Sequence, residues 1–249
     1  MAPQRLLLNA DLGESDDPAQ IATDAALLEL IDLAHIACTD HAGSPHSITR
    51  TIQTALASSR ARPILLGAHP SYPDRPNFGR LSMPITDAAL LESLIEQFTL
   101  IRDIAQNCGC PLLSIKPHGA LYHDILKSPA RAQTLLDAAI TVFGPPPHTP
   151  ALVVLSSATL PVPTTLPLLF EAFADRRYQP DGSLTPRTQP DALITDPNTA
   201  AAQALAIAQH NPLPNIFPPL SIQAQTLCIH SDTPNALKLA QAVSQALST

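Results

Sequence analysis

Five short polar clusters sit just past five apolar runs in this chain: Asn9-Ala10-Asp11, His41-Ala42-Gly43, Gly67-Ala68-His69-Pro70, Lys116-Pro117-His118-Gly119 and His230-Ser231-Asp232. In a barrel or a doubly wound sheet of parallel strands, side chains at the carboxyl ends converge on one face, where such folds keep their chemistry. The recurrence predicts a site assembled from separated segments. Taken singly, each His could equally close a strand with a backbone hydrogen bond.

The residue types narrow the chemistry. Asp11 and Glu14 are carboxylates three apart at one strand tip, a pair that can divide into a general base and a charged partner; Glu14 could instead cap the following helix. His41, His69 and His118 come from three different units. With Asp11 they could bind a divalent metal or activate water directly, and spacing leaves both open. Lys116 suits a carboxylate, a phosphate or a developing oxyanion, or is simply a solvated turn residue. Tyr72 and Arg80 lie in a long loop after His69 and could close over a small acid. No Gly-x-x-x-x-Gly-Lys-Ser/Thr, Gly-x-Gly-x-x-Gly or Gly-x-Ser-x-Gly occurs, which excludes a Walker-type cradle, a dinucleotide fingerprint and an α/β-hydrolase elbow.

Eight apolar runs can supply the strands: Leu6–Leu8, Leu33–Cys38, Ile64–Ala68, Leu112–Ile115, Ala151–Leu155, Leu168–Phe173, Ala192–Thr195 and Thr226–Ile229. Short, unbroken runs of this kind suit strands buried on both faces. Between them, Ser44-Pro45, Ser128-Pro129, Asp196-Pro197 and Thr233-Pro234 read as helix starts, a capping residue followed by proline. Residues 86 to 105 repeat apolar positions at three and four and predict a helix. Strand, polar tip, capped helix and strand again is the grammar of βα units. Seven or eight units fit, and chemistry on so many tips favours a closed barrel over an open sheet.

The chain has 249 residues, 45% of them apolar, with 4% aromatics and no Trp. A core of Leu, Ile, Val and Ala in one domain spanning 1–249 is expected. Its net charge of -7 argues against nucleic acid or an anionic membrane as partner. Three apolar residues near the start are fewer than the roughly seven of a signal-peptide core, and no segment reaches the roughly 18 of a membrane span, so a soluble cytoplasmic protein is expected. Of four Cys, only Cys108 and Cys110 are close, one residue apart, which suits neither structural zinc nor a disulfide framework. Cys38 and Cys228 read as small hydrophobes. The 27 prolines cluster in loops that apolar runs follow directly.

Taken together, Leu-Asn-Ala-Asp-Leu-Gly-Glu at 8 to 14, His-Ile-Ala-Cys at 35 to 38 with His41-Ala-Gly, Gly-Ala-His-Pro-Ser-Tyr-Pro-Asp at 67 to 74, Phe-Gly-Arg at 78 to 80, Lys-Pro-His-Gly-Ala-Leu-Tyr at 116 to 122, Glu-Ala-Phe-Ala-Asp-Arg at 171 to 176, Asp-Gly-Ser-Leu-Thr-Pro-Arg at 181 to 187 and His-Ser-Asp-Thr-Pro at 230 to 234 resemble the LamB/YcsF family, the A subunit of bacterial-type 5-oxoprolinase. The resemblance implies a seven-stranded (β/α) barrel of glycoside hydrolase/deacetylase type. It implies ATP-dependent opening of the lactam 5-oxoproline to L-glutamate with B and C subunits, ATP being a co-substrate and a homo-oligomer being compatible. Asp11, His41, His69, Lys116 and His118 are then the expected catalytic residues. Asn9, Glu14, Tyr72, Arg80, Tyr122, Asp175, Arg187, His230 and Asp232 are the expected substrate contacts. A divalent metal, if bound, would take Asp11, His69 and His118.

The chain departs from the family pattern at His35, at Thr39-Asp40 where Gly-Phe is usual, at Ser44 where Asp is usual, and at Ser231 where Gly is usual. Asp40 could stand in for the carboxylate lost at position 44. Two other readings stay open: a stand-alone metal-dependent hydrolase or deacetylase, and a non-catalytic partner subunit.

Overall fold

A computed structural model describes residues 5 to 248. The reading of the chain start as lacking a secretion signal rests partly on residues 1 to 4, outside the described residues. Seven parallel strands close on themselves in chain order: β1 (Leu7–Leu12), β2 (Leu33–Ala37), β3 (Leu65–His69), β4 (Leu112–Ile115), β5 (Ala151–Leu155), β6 (Leu168–Phe173) and β7 (Thr226–Cys228). The helices are α1 (Pro18–Leu28), α2 (Pro45–Leu56), α3 (Asp87–Asn107), α4 (Gly119–Asp124), α5 (Pro129–Phe143), α6 (Pro197–Ala208) and α7 (Ala236–Leu247).

The helix starts follow from their caps. Asp17, Ser44, Thr86, Ser128 and Asp196 each accept backbone N–H groups of the first turn, Ser44 in a reciprocal capping box with Ser47. Such a cap contributes about 1 kcal/mol. Glu14 therefore caps nothing, since Asp17 does that work for α1. The start expected at Thr233-Pro234 moves to Ala236, after Asn235 in the left-handed region. The Thr233 hydroxyl is taken instead by Asp175, 2.8 Å away.

The run 192–195 is not an eighth strand. β7 pairs directly with β1, Leu7 opposite Thr226, which closes the barrel and leaves no edge to join. The run folds back antiparallel on the chain after β6: Arg177 N–H donates to Ala192 O and Ile194 N–H to Asp175 O. Its apolar character has a plain source, because Ala192 and Ile194 are buried.

Alternation along each strand separates two environments. One face of β1 to β4 carries Leu8, Ala10, Leu12, Ala34, Ile36, Leu66, Ala68 and Ile115, buried in one cluster with Leu27, Ile48, Ile52, Leu94, Phe98, Ile101 and Leu135 of the helices. Each such Leu or Ile contributes about 1.5–3 kcal/mol on burial. The other face holds Asn9, Asp11, His35, Ser114, Glu171 and Thr226, all buried, so the axis is polar. His35 Nε2 meets Ser114 Oγ at 3.1 Å. Gly67 lies between those strands because a Cβ there would run into both Ser114 and the His35 ring. Among the described residues no helix is long and apolar enough to cross a membrane.

Candidate active site

At the carboxyl ends of β1, β3 and β4 the polar axis opens into a dense ionisable cluster. Lys116, one residue beyond β4, points its ammonium at three partners: Asp11 Oδ1 at 3.0 Å and Oδ2 at 3.1 Å, Glu171 Oε1 at 3.0 Å and Cys228 Sγ at 3.1 Å. An ammonium has three protons, and three partners take them. Burial disfavours its charge, but Asp11, Cys228 and Glu171 outweigh that and hold Lys116 well above its ordinary range. Burial also opposes the charge on Asp11, yet the Lys116 ammonium against it holds that carboxyl well below the usual carboxylate range. The pair is thus a buried, fully ionised unit, and Lys116 has no proton left for a substrate carboxylate.

Glu14 behaves differently. No ammonium reaches it, and burial lifts it to about 7. His41 Nε2 lies 3.0 Å from its Oε1, His118 Nδ1 3.5 Å and His69 Nε2 3.8 Å. Burial pushes His41 and His118 down to about 3 and His69 well below its usual value, so the three rings are neutral at neutral pH.

The loop from 70 to 80 closes over these rings. Gln97 of α3 pins its start, accepting from Ser71 N–H and donating to Ser71 O, both at 2.9 Å. Arg75 donates to Thr39 O and Gly43 O at 2.6 Å each, strapping the β2 tip that carries His41. Phe78 O meets His118 Nε2 at 2.8 Å. Gly119, in the left-handed region at φ 56°, lets the β4 tip approach this loop: a Cβ there would strike the Gly79 backbone, whose carbonyl accepts from Ala120 N–H. Gly119→Ala is expected to lower stability by about 1–3 kcal/mol, read by urea unfolding, because neither contacting group is a side chain that can swing aside.

The structure brings Asp11, Glu14, His41, His69, Lys116 and His118 together. His230 joins from β7, its Nδ1 3.0 Å from Asp175 and its ring stacked on Phe173; Asp11, Cys228 and His230 offer ligand atoms within 4.8 Å of one another. Burial opposes the Asp175 charge, but His230 and Thr233 hold its carboxyl down. Asp232 pairs with Arg80 and lies 3.9 Å from Arg187, a partly exposed rim. Of three further expected contacts, two meet the cluster through Glu171 and one turns away from it. Asn9 is one layer down the axis, donating to Glu171 at 3.1 Å and Thr226 at 2.7 Å. Tyr122 hydroxyl donates to Glu171 at 3.1 Å. Tyr72 turns its hydroxyl to Asp124 at 2.9 Å, so none of its polar atoms meets the cluster.

Glu171, Cys228 and Arg75 are members that the sequence reading did not place in the site, and it noted His35 only as a departure from the family pattern. Glu171 had a signal, an acidic residue inside an otherwise apolar run. Cys228 had none, because a cysteine in an apolar run looks like any small hydrophobe. Asp40 does not replace a carboxylate at position 44: it accepts from Ser93 at 2.6 Å and Gln97 at 3.0 Å on α3. Thr39 has φ 81°, a conformation that strains a β-branched residue by about 1–3 kcal/mol. Thr39→Gly is expected to raise stability by about 1 kcal/mol in urea unfolding, the relief exceeding the entropy glycine adds to the unfolded chain. A lower unfolding midpoint would contradict this.

A parallel barrel with carboxylates, imidazoles and an ammonium gathered at the carboxyl ends of its strands is a (β/α)-barrel protein of the kind that houses its chemistry at one mouth. Sequence comparison gives the particular group. The family described as LamB/YcsF matches residues 6–249, and the chain belongs to that family. It is 37% identical over 254 residues to the 5-oxoprolinase A subunit of Vibrio vulnificus, covering 99% of each chain. It is 38% identical over 244 residues to that of Methylococcus capsulatus, covering 94% of this chain and 88% of the relative. Among solved structures, the lactam utilization protein from Thermus thermophilus aligns with a TM-score of 0.83 at 31% identity, over 98% of this chain and 96% of that one.

Proposed function

We propose that this chain is the component of an ATP-dependent 5-oxoprolinase that, with partner subunits B and C, opens 5-oxoproline to L-glutamate. Membership of the family and the names of its relatives support the substrate class. The observation that carries the chemistry is Asp11, held ionised by Lys116, with its Oδ2 3.5 Å from His69 Nε2. Beside His69, the Asp11 carboxylate can orient a water and relieve it of a proton.

A five-membered lactam is a poor electrophile. Transfer of a phosphoryl group from ATP to its amide oxygen, made possible by the partner subunits, corrects that and releases ADP. Water then adds to the amide carbon, its proton passing to Asp11. The C–N bond breaks as the nitrogen takes a proton, and a second water releases phosphate from the resulting acyl phosphate, leaving glutamate. Lys116 keeps Asp11 charged and aimed. Arg80 and Arg187, the cations on the partly exposed rim, are the groups placed to hold the substrate carboxylate.

Glutamate release from 5-oxoproline and ATP, measured with and without the B and C subunits, tests this reading. Activity only from the complete set is expected. Release by this chain alone, or none from the complete set, would overturn it.

A further inference from the structure

Two histidines in the cluster face each other in a way that their hydrogen bonds do not explain. His69 Nδ1 lies 2.7 Å from Lys116 O, and His118 Nε2 lies 2.8 Å from Phe78 O. A carbonyl oxygen only accepts, so these two nitrogens carry the ring protons. In neutral rings the remaining nitrogens, His69 Nε2 and His118 Nδ1, are then bare, and they stand 2.9 Å apart. Lone pair meets lone pair.

Glu14 Oε1 completes a triangle with them, 3.5 Å from His118 Nδ1 and 3.8 Å from His69 Nε2. It too is an acceptor. Three electron-pair donors held this close repel one another unless a proton or a cation joins them. The three separations straddle the edge of roughly 3.3–3.4 Å that a tetrahedron has when its ligands sit about 2.0–2.1 Å from zinc. The outer N–H of each ring rests on a backbone carbonyl, which is how metal-ligating histidines are commonly fixed in tautomer and direction.

His41 has a different part. Its ring lies parallel to that of His118, 3.8 Å between centroids and 4° between planes, and parallel stacked rings cannot aim in-plane lone pairs at one point. Its Nε2 is instead 3.0 Å from Glu14 Oε1. It is a positioning residue that donates to the carboxylate. Asp11, in the ligand set the sequence suggested, has both oxygens on Lys116.

We propose that Glu14, His69 and His118 form a three-ligand site for a borderline divalent cation of the Zn2+ or Co2+ class, with His41 orienting Glu14. Two imidazoles and one carboxylate suit such ions better than Mg2+ or Ca2+, which favour oxygen. Three protein ligands leave a coordination position for water. The site goes beyond the lactam reading and does not depend on it.

The test uses the full chain, treated with chelator and then titrated with Zn2+ by calorimetry and with Co2+ by visible absorption, without lactam or ATP. One equivalent per chain is expected, with the intense d–d bands of a four- or five-coordinate Co2+ ion. Glu14→Gln and His118→Asn should each abolish the bands while leaving the far-ultraviolet circular dichroism unchanged. His41→Ala should keep the stoichiometry and weaken binding by about 10–100-fold. Should the substitutions at 14 and 118 unfold the chain, 15N NMR of the wild-type histidine rings decides. Zn2+-dependent shifts of His69 Nε2 and His118 Nδ1 support the site. A proton shared between them that Zn2+ does not displace overturns it, as does wild-type chain without stoichiometric binding. Failure here leaves the lactam reading standing, and loss of lactam turnover leaves this one standing.

Discussion

Asp11→Asn is expected to lower glutamate formation by the reconstituted complex at least about 100-fold, the scale of losing a positioned general base. The change is isosteric and leaves Lys116 paired with Glu171 and Cys228, so the fold should survive. What disappears is the charge that draws the proton from water beside His69. Because Asp11 is assigned to the attacking water and not to the lactam, the loss should fall on kcat more than on KM. Turnover within a few-fold of wild type would show that the proton goes elsewhere.

Lys116→Met should act on stability first. It leaves Asp11 and Glu171, both buried, facing each other across the axis with no cation between them. Removing one partner of a buried charge set costs about 3–5 kcal/mol. For a chain of this size each kcal/mol moves Tm by roughly 2–4 °C, so a fall of about 6–20 °C is expected in a thermal scan. Protonation of one carboxylate limits the damage. The double variant Lys116→Met with Asp11→Asn should therefore be less destabilised than the sum of the singles, a coupling that a double-mutant cycle measures. A Tm unchanged by Lys116→Met would mean that the ammonium does not hold this cluster together.

Much of the barrel was legible because its strands are buried on both faces and its helices open on caps that do what their chemistry allows. Ser44, Thr86, Ser128 and Asp196 all cap helices. The misreadings share one cause: tertiary partners override local signals. Thr233 carries a cap-and-proline signature, but Asp175 holds its hydroxyl. Residues 192 to 195 are apolar enough for a strand, but the pairing of β1 with β7 leaves them no edge. At the site, spacing marked the strand tips and so found the histidines. It could not show that the charge of Lys116 is already matched inside the protein, because Glu171 and Cys228 lie far away along the chain and meet it only in the closed barrel. Nor could it separate Asp11 from Glu14, which are three residues apart yet differ in protonation because only one of them meets the ammonium.

The small space kept open by Gly67 ties three strands into one decision. His35, Gly67 and Ser114 share a single volume in the barrel axis, so bulk added at any one of them must be given up at another. In related chains these positions should drift as a block: a smaller residue at 35 is what would permit a side chain at 67. A graft of His35 alone into a relative that has a larger group at 67 should misfold, whereas exchange of the whole trio should be tolerated.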